Sequence, residues 1–328
     1  MRLAPLALVV LVAAPVLAQD EEKKEEPQDK DEAKLLRKAR RLAEDGEKEE
    51  AFKLFDQLAS QAQQKSHTDT AITALEEARP CAPTPEDELR VCRSLGSLCM
   101  ERGDHSRCVK AYRRAAKLAP EDAKVMNSFG YALHLVGNED ESLEAFEKCI
   151  ALDPDCYEAS YSLGLAYRLT GHAKKALRTH QKLADAAKEG KLTIGWYFSW
   201  ESKQMKKETS QTGANLASAG SRTAVCELEV AVDHAFNDDL EAAEDAISKL
   251  KEGTAKDDLD PALQVVLDET LRALEIRPQH LQLRYLVALL WDAKGEPEKA
   301  KAELEKFSET EKKIRPFVKK AREKLGEK

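Results

Sequence analysis

Apolar residues between positions 89 and 190 recur with the spacing of one face of an α-helix, and the pattern repeats every 34 residues. Three tandem units begin at Leu89, Ala123 and Tyr157. In the first half of each unit, positions 4, 7, 8 and 11 are apolar or small, which is the i, i+3, i+4, i+7 spacing of a buried helical face. Each unit is therefore predicted to begin with an amphipathic helix.

A second helix is predicted in the second half of each unit. Glycines recur at positions 8 and 15 of all three units: Gly96 and Gly103, Gly130 and Gly137, Gly164 and Gly171. The glycine at position 15 is suited to end the first helix and turn the chain. Pro120 and Pro154 end the second helix of the first two units. One helical pair cannot bury its apolar face alone, so we expect the units to stack.

The pattern resembles the tetratricopeptide repeat, a 34-residue helix-turn-helix unit. This resemblance implies an all-α fold, a tetratricopeptide-type helical-hairpin repeat solenoid with interruptions. Weaker units flank the three: "LLRKARRLAEDGEKEEAFKLF" lies upstream and "LVALLWDAKGEPEKAKAELEKF" lies downstream. The stretch from 223 to 250 resembles a further helix pair with Asn237 at its turn.

The chain is accordingly predicted to fall into eight segments. They are a signal peptide (1–18), a charged linker (19–32), a divergent N-terminal repeat (33–65), a proline-containing insertion (66–88), the three tandem repeats (89–190), an aromatic helix with a polar flexible loop (191–222), divergent C-terminal repeats (223–310) and a C-terminal capping helix (311–328). Three prolines, at positions 80, 83 and 85, mark the first interruption and allow a new helix to start near Pro85.

The first 18 residues place Arg2 before an apolar run that ends at Ala18, as in a secretory signal peptide. The run is shorter than the roughly 20 residues that a membrane-spanning helix needs. We expect cleavage, an exported protein located in the periplasm or outside the cell, and no integral membrane segment afterwards. A net charge of -8 argues against nucleic acid as a partner, because binding to phosphates depends on lysine and arginine.

The sequence contains none of the residue patterns that usually carry catalysis or bind a cofactor. We find no Ser-His-Asp motif, no phosphate-binding glycine loop and no His-Glu-x-x-His helix. The seven histidines are scattered and the seven cysteines form no Cys-x-x-Cys pair, so no metal site is predicted. We therefore predict a non-enzymatic protein without a cofactor.

A binding surface is predicted on the first helices, opposite their buried positions. At 100° per residue, positions 2, 5, 9 and 12 of each unit lie on that opposite side. The candidate peptide-binding residues there are Arg90, Arg93, Lys124, Asn127, Tyr131, His134, Tyr161 and Arg168. In the resembled family the concave groove takes an extended peptide or a partner helix, and this basic and aromatic surface would suit a partner with acidic and apolar side chains. The alternative is a solvated face that contacts only the array itself.

The family's clamp for chaperone tails requires a particular set of lysine and asparagine residues. Here Arg93 and Ser97 stand at the first two clamp positions, and Glu158 replaces a lysine in the third unit. These departures argue against that subtype.

Four aromatic residues cluster in "IGWYFSWES", residues 194–202. In the 34-residue frame, Ile194, Tyr197 and Phe198 take buried positions of a fourth unit. Trp196 and Trp200 fall on the opposite side, and either they are covered by later helices or they contact a partner.

Cysteines supply a separate hypothesis, because disulfides form in exported proteins. Cys99 and Cys108 lie on facing sides of one helical hairpin, and Cys149 and Cys156 flank the bend into the next unit. Either pair is a candidate disulfide, and the alternative is that each cysteine is a small buried apolar residue.

The sequence as a whole predicts an exported scaffold that recruits other proteins through the groove of the repeat array. Two other functions are compatible with it. One is a structural subunit of a cell-envelope secretion or assembly complex. The other is a thiol-dependent accessory protein built around an accessible Cys226 or Cys81.

Overall fold

A computed structural model of the chain describes residue 27 and residues 29–192, 218–276 and 282–310. Within these ranges the chain forms fourteen α-helices and no β-strand, which confirms the predicted all-α class. The helices before residue 192 are α1 (Lys30–Glu44), α2 (Lys48–Gln64), α3 (Thr68–Ala78), α4 (Pro85–Arg102), α5 (His105–Leu118), α6 (Ala123–Leu135), α7 (Glu139–Leu152), α8 (Tyr157–Leu169) and α9 (Ala173–Lys188). The later helices are α10 (Ala219–Phe236), α11 (Leu240–Gly253), α12 (Lys256–Ile276), α13 (Gln282–Ala293) and α14 (Pro297–Thr310).

Most helices pair as hairpins whose turns need a left-handed residue. Glycine fills this position in five hairpins, with φ between 73° and 87°: Gly46, Gly103, Gly137, Gly171 and Gly295. In the α10–α11 hairpin the left-handed residue is Asp238, with φ of 63°, and the predicted turn residue Asn237 instead caps the end of α10. Aspartate tolerates this conformation better than most side chains do. The hairpin repeat predicted from the sequence is confirmed.

Within each of the three tandem units, the glycine at position 8 lies under a ring from the second helix. A Cβ atom on Gly96 would lie 2.5 Å from the ring of Tyr112, and one on Gly130 would lie 2.9 Å from the ring of Phe146. In the third unit the ring over Gly164 belongs to His180. The two helices of a unit therefore approach more closely than a larger residue would allow.

The proline-containing insertion holds an additional helix. Helix α3 buries Ile72 and Leu75 and packs between α2 and α4, and a short 3₁₀ turn, Arg79–Cys81, leads from it to α4. Thr84 caps the start of α4 and accepts a hydrogen bond from the Asp87 backbone N–H at 3.1 Å. The insertion therefore contains a helix that belongs to the core, and the three prolines follow that helix.

Helix α10 packs on α9, where the first helix of a fourth unit is expected. It begins at Ala219, inside the segment predicted as a loop, because Ser218 accepts a hydrogen bond from the Ser221 backbone N–H and so caps the helix. The aromatic stretch, with Trp196 and Trp200, lies outside the described residues. The same holds for the predicted signal peptide and for the predicted capping helix, 311–328.

Two hydrophobic cores meet at the third tandem unit. One extends from Leu36 to Ala176 and the other from Tyr161 to Phe307, so α8 and α9 contribute to both. Helix α12 packs on α10, and α13 pairs with α14. Of the helices described, none is both long and apolar enough to cross a membrane.

Candidate functional site

The eight residues predicted to bind a peptide differ in their exposure to solvent. Six of them retain solvent contact: Arg90, Arg93, Lys124, Asn127, Tyr131 and His134. They lie on α4 and α6, the first helices of the first two tandem units, and we call these six residues the first-helix face. The other two, Tyr161 and Arg168 on α8, are buried.

The two arginines of the first-helix face have acidic neighbours. Arg90 Nη1 lies 2.7 Å from Asp56 Oδ1, and Arg93 Nη1 lies 3.4 Å from Asp122 Oδ2. The hydrogen bond to Asp56 raises the pKa of Arg90. Asp56 belongs to α2 and Asp122 caps α6, so neither occupies one of the positions that the sequence pattern singled out. The surface around the first-helix face is therefore closer to neutral than the basic residues of the face alone suggest.

Lys124 is the cation of this face that has no ion-pair partner among the described residues. Beside it, Asn127 Nδ2 donates a hydrogen bond to Glu158 Oε2 over 3.3 Å, which links α6 to α8. Burial raises the pKa of Glu158, and the charge of Lys124 lowers it by a smaller amount. Lys124 and Glu158 thus present opposite charges on adjacent units.

Two rings of the first-helix face lie next to each other, and an acidic neighbour holds one of them in place. His134 Nδ1 lies 2.9 Å from Glu139 Oε2, at the start of α7. The rings of Tyr131 and His134 are 6.4 Å apart and tilted by 43°. Both side chains are half-buried, so they offer an apolar surface that is partly ordered before any ligand arrives.

The prediction that Tyr161 and Arg168 line an open groove is wrong. Both belong to α8, and α10 and α12 cover them. The Tyr161 hydroxyl lies 2.6 Å from Glu269 Oε2 of α12 and 3.1 Å from Glu229 Oε1 of α10. Only 4% of the Arg168 side chain remains exposed. Helical spacing placed these residues on the correct side of α8, but it could not show that later helices occupy that side.

Arg168 is the centre of a buried polar network, which also contains Glu229, Asp233, His180 and Tyr161. Its guanidinium donates from Nε to Asp233 Oδ1 at 2.8 Å and from Nη2 to Glu229 Oε2 at 2.5 Å. It also lies over the ring of Phe236, 5.4 Å from the ring centre. Two buried carboxylates from α10 are thereby neutralised from the third tandem unit.

His180 completes the network beneath Arg168. Its Nδ1 lies 2.6 Å from Asp233 Oδ2, and its Nε2 lies 3.3 Å from the backbone carbonyl oxygen of Tyr161. Its Nδ1 also lies 3.4 Å from Arg168 Nη2. The residue therefore fills the ring position over Gly164 and links Asp233 to the third tandem unit at the same time.

Two signals in the sequence could have indicated this network. His180 stands at position 24, where the other tandem units carry Tyr112 and Phe146, so a polar ring replaces an apolar one. Glu229 and Asp233 are four residues apart within the apolar stretch "CELEVAVDHAF". Because residues four apart share a helical face, this spacing places both carboxylates on one side of α10.

The charges in the network act on one another. Burial raises the pKa of Asp233, but Arg168 and His180 more than offset this, so the pKa lies below its ordinary value of 3.8. Burial lowers the pKa of Arg168, and Asp233 and Glu229 raise it by more, so the guanidinium keeps its charge. The ionised forms of Asp233 and Arg168 are thus the stable ones in the folded protein.

The lowered pKa of Asp233 predicts a dependence of stability on pH. We expect Asp233→Asn to cost about 2 kcal/mol or more of unfolding free energy near neutral pH. Since a carboxyl with a depressed folded pKa stabilises above its unfolded pKa and loses this effect as pH falls through the folded pKa, the difference between variant and wild type should shrink below about pH 4. Urea unfolding of both proteins over a pH series measures it, and a difference that stays constant into acid would contradict the expectation.

A second polar cluster lies near the N-terminal end of the described chain. Asp29, Glu32 and His67 have potential metal-ligating atoms within 4.8 Å of one another. However, Lys65 Nζ already lies 2.8 Å from Asp29 Oδ2 and 3.1 Å from Glu32 Oε1. The hydrogen bond from Lys65 lowers the pKa of Asp29 to about 2. We interpret the cluster as an ion-pair network between α1 and the start of α3.

All seven cysteines lie within the described residues, and all are unbridged thiols in this structure. The expectation of an accessible Cys81 or Cys226 is wrong, because both are buried in apolar surroundings, and burial raises the pKa of each thiol. Cys99 and Cys108 are likewise buried, and burial raises the pKa of Cys108 to about 12. Cys156 keeps some solvent contact.

Comparison with known proteins supports the repeat assignment. The family model described as tetratricopeptide repeat matches residues 89–122 and 123–156, the first two tandem units. No curated protein matched the sequence.

Several solved structures are similar to this chain. A tetratricopeptide repeat protein from Parabacteroides merdae ATCC 43184 is 14% identical, with a TM-score of 0.47 over 83% of this chain and 98% of that one. YrrB, described as a tetratricopeptide repeat protein with an unusual peptide-binding site, is 12% identical, with a TM-score of 0.43 over 70% of this chain and 88% of that one. MamA from Desulfovibrio magneticus RS-1 is 16% identical, with a TM-score of 0.39 over 67% and 93%.

The two matched units coincide with the hairpins α4–α5 and α6–α7. The α8–α9 hairpin follows them in the same 34-residue frame, with the same close approach of a ring to a glycine. Residues 89–156 are thus two tetratricopeptide repeats, and the α8–α9 hairpin continues their 34-residue frame.

Proposed function

We propose that the first-helix face binds an extended peptide or a helix of a partner protein, so that the chain acts as a scaffold for protein association. The tetratricopeptide repeats of this chain favour an interaction scaffold in general. The more specific proposal, that the first-helix face binds acidic side chains of the partner, rests on two cations on adjacent units that make few ion pairs. Arg93 makes a single ion pair of 3.4 Å, and Lys124 makes none among the described residues.

A partner carboxylate can engage these cations at small cost. Ion pairs between exposed side chains contribute about 0–1 kcal/mol, so exchanging Asp122 for a ligand carboxylate on Arg93 loses little. Tyr131 and His134 supply a partly ordered apolar surface close by on α6. Carboxylate recognition combined with ring contact supports a partner that presents acidic and apolar side chains in succession.

The buried part of α8 sets a limit on this face. Because α10 and α12 cover Tyr161 and Arg168, neither of the predicted binding residues on α8 is accessible. We therefore propose a short ligand segment that lies across α4 and α6 and reaches α8 only at its N-terminal turn.

The proposal predicts that Arg93→Glu combined with Tyr131→Ala weakens partner binding about tenfold or more, since charge and ring contact are lost together. Partners would be crosslinked to the wild-type chain in its native source and identified by mass spectrometry. Their affinity for the purified variant would then be measured by titration. Circular dichroism and thermal unfolding would establish that the variant remains folded.

Arg178→Glu provides the matched control. Arg178 is an exposed arginine on α9, a second helix, and lies away from the first-helix face. We expect this charge reversal to leave partner affinity unchanged. Equal weakening by both changes would indicate a general charge effect, and a folded double variant with wild-type affinity for the same partners would exclude the first-helix face as the binding site.

A further inference from the structure

Two cysteines meet at the joint between the second and third tandem units. Cys149 lies in the last turn of α7, and Cys156 is the residue that precedes α8. The turn between them is held by backbone hydrogen bonds, from Asp153 N to Cys149 O at 2.8 Å and from Cys156 N to Asp153 O at 3.1 Å. The joint is therefore ordered and brings the two thiols to one place.

The two thiols lie close enough for each to shift the pKa of the other, and their environments differ. Cys149 is fully buried, whereas Cys156 is partly accessible. The neighbouring Cys149 thiol and the Ala159 backbone N–H lower the pKa of Cys156, although burial opposes them. The neighbouring Cys156 thiol and burial raise the pKa of Cys149. The accessible sulfur is thus the one that ionises more easily, as a nucleophilic thiol requires.

This pair occurs at one joint only. The equivalent residues of the preceding joint, 34 positions earlier, are Ala115 and Asp122. Asp122 caps α6 with ordinary hydrogen bonds from the backbone N–H groups of Lys124 and Val125. Cys156 makes no side-chain cap hydrogen bond of that geometry on α8. A cysteine is a poorer N-cap than an aspartate, so capping alone does not account for Cys156.

We infer that Cys149 and Cys156 form a reversible dithiol–disulfide couple that joins the second tandem unit to the third. This inference does not depend on the peptide-binding proposal. The oxidant is a low-molecular-weight disulfide. The Cys156 thiolate attacks one of its sulfurs, a mixed disulfide forms and one thiolate leaves. Cys149 then loses its proton and attacks the Cys156 sulfur, and the second thiolate leaves. Two protein thiols are oxidised and one external disulfide is reduced to two thiols.

A disulfide between Cys149 and Cys156 would lie close to the first-helix face. Glu158, which accepts the hydrogen bond from Asn127, lies two residues after Cys156. Oxidation fixes the start of α8 to the end of α7, and so limits the relative movement of the two units at that point.

The other cysteines offer an internal comparison. Cys99 and Cys108 also face each other within one unit, but both are fully buried and no exchange partner can reach them in the folded protein. Burial raises the pKa of each, so neither is readily ionised.

The test treats the folded full chain with oxidised glutathione at neutral pH, followed by denaturation, alkylation and tryptic mass spectrometry. Cys149 and Cys156 fall in a single tryptic peptide, 149–168, whereas Cys99 and Cys108 fall in two different peptides. We expect peptide 149–168 to lose two hydrogens and to resist alkylation until a reductant is added. A native pulse of iodoacetamide should modify Cys156 about tenfold faster than any other cysteine.

Two variants resolve the order of the steps. Cys149→Ser should retain glutathione on Cys156 as a stable mixed disulfide, and Cys156→Ser should prevent both the adduct and the loss of hydrogens. Peptide 149–168 that remains fully alkylatable after treatment, with no adduct on Cys149→Ser, would overturn the inference. So would a cross-linked pair of peptides containing Cys99 and Cys108 in place of the expected product.

Discussion

Replacing Arg168 with methionine is expected to lower the free energy of unfolding by about 3–5 kcal/mol, the usual cost of removing one partner from a buried ion pair. The change leaves Glu229 and Asp233 without their guanidinium, and neither carboxylate has any exposed surface. Methionine can fill much of the volume of the arginine side chain. The loss of unfolding free energy therefore measures mainly the cost of leaving two buried carboxylates without a cation. Chemical denaturation monitored by circular dichroism measures it.

The matched control is Arg93→Met. Arg93 is also an arginine on a first helix, but it is exposed and has one ion pair of 3.4 Å, so its loss should cost less than about 1 kcal/mol. A further variant combines Arg168→Met with Glu229→Gln and Asp233→Asn. If stranded charge is the cause, this triple change should recover part of the stability. Equal effects of Arg168→Met and Arg93→Met would contradict the network as described.

Replacing His180 with phenylalanine gives the second large effect, although phenylalanine is the residue that the second tandem unit uses at the same position. We expect a loss of about 1–3 kcal/mol, because phenylalanine would leave Asp233 Oδ2 and the Tyr161 carbonyl oxygen without the ring nitrogens that lie within hydrogen-bond distance of them. Thermal and urea unfolding of the full chain would measure the change.

The reciprocal substitution, Phe146→His, is the control for this prediction. Phe146 is fully buried over Gly130, within the hydrophobic core of the tandem units. An imidazole there should cost about 2–4 kcal/mol through lost apolar packing and a buried polar ring. If His180→Phe were neutral or stabilising, the hydrogen bonds of His180 would have no net role in stability.

The sequence was sufficient to predict the repeating part of the fold. The 34-residue period, the glycines and the apolar positions recur locally, so they can be recognised without knowledge of distant contacts. Helix α3 was harder to predict, because the prolines beside it suggest a break while its short apolar stretch gives a weaker signal. The placement of α10 depends on a contact with α9 across residues 193–217, and local periodicity carries no information about such a contact.

The candidate site was predictable only in part, for a related reason. Periodicity identified the side of each helix to which Arg93, Lys124 and Tyr131 belong. It could not reveal Asp56 and Asp122, which come from other elements and neutralise the arginines, or the cover over Tyr161. The side of a helix on which a residue lies can be read from the sequence of that helix. Whether the residue is covered or ion-paired depends on distant segments that the fold packs against it.

The sharing of α8 and α9 by both hydrophobic cores bears on how the chain can be divided. A fragment that ended after α9 would expose the apolar side chain of Leu183 and the polar side chains of Arg168 and His180, all of which are covered in the full chain. A fragment that began at α10 would expose Glu229 and Asp233. The third tandem unit therefore packs against the helices on both sides of it. Truncating the chain after α9 would expose side chains on both fragments that are buried in the full chain, and we expect such fragments to aggregate.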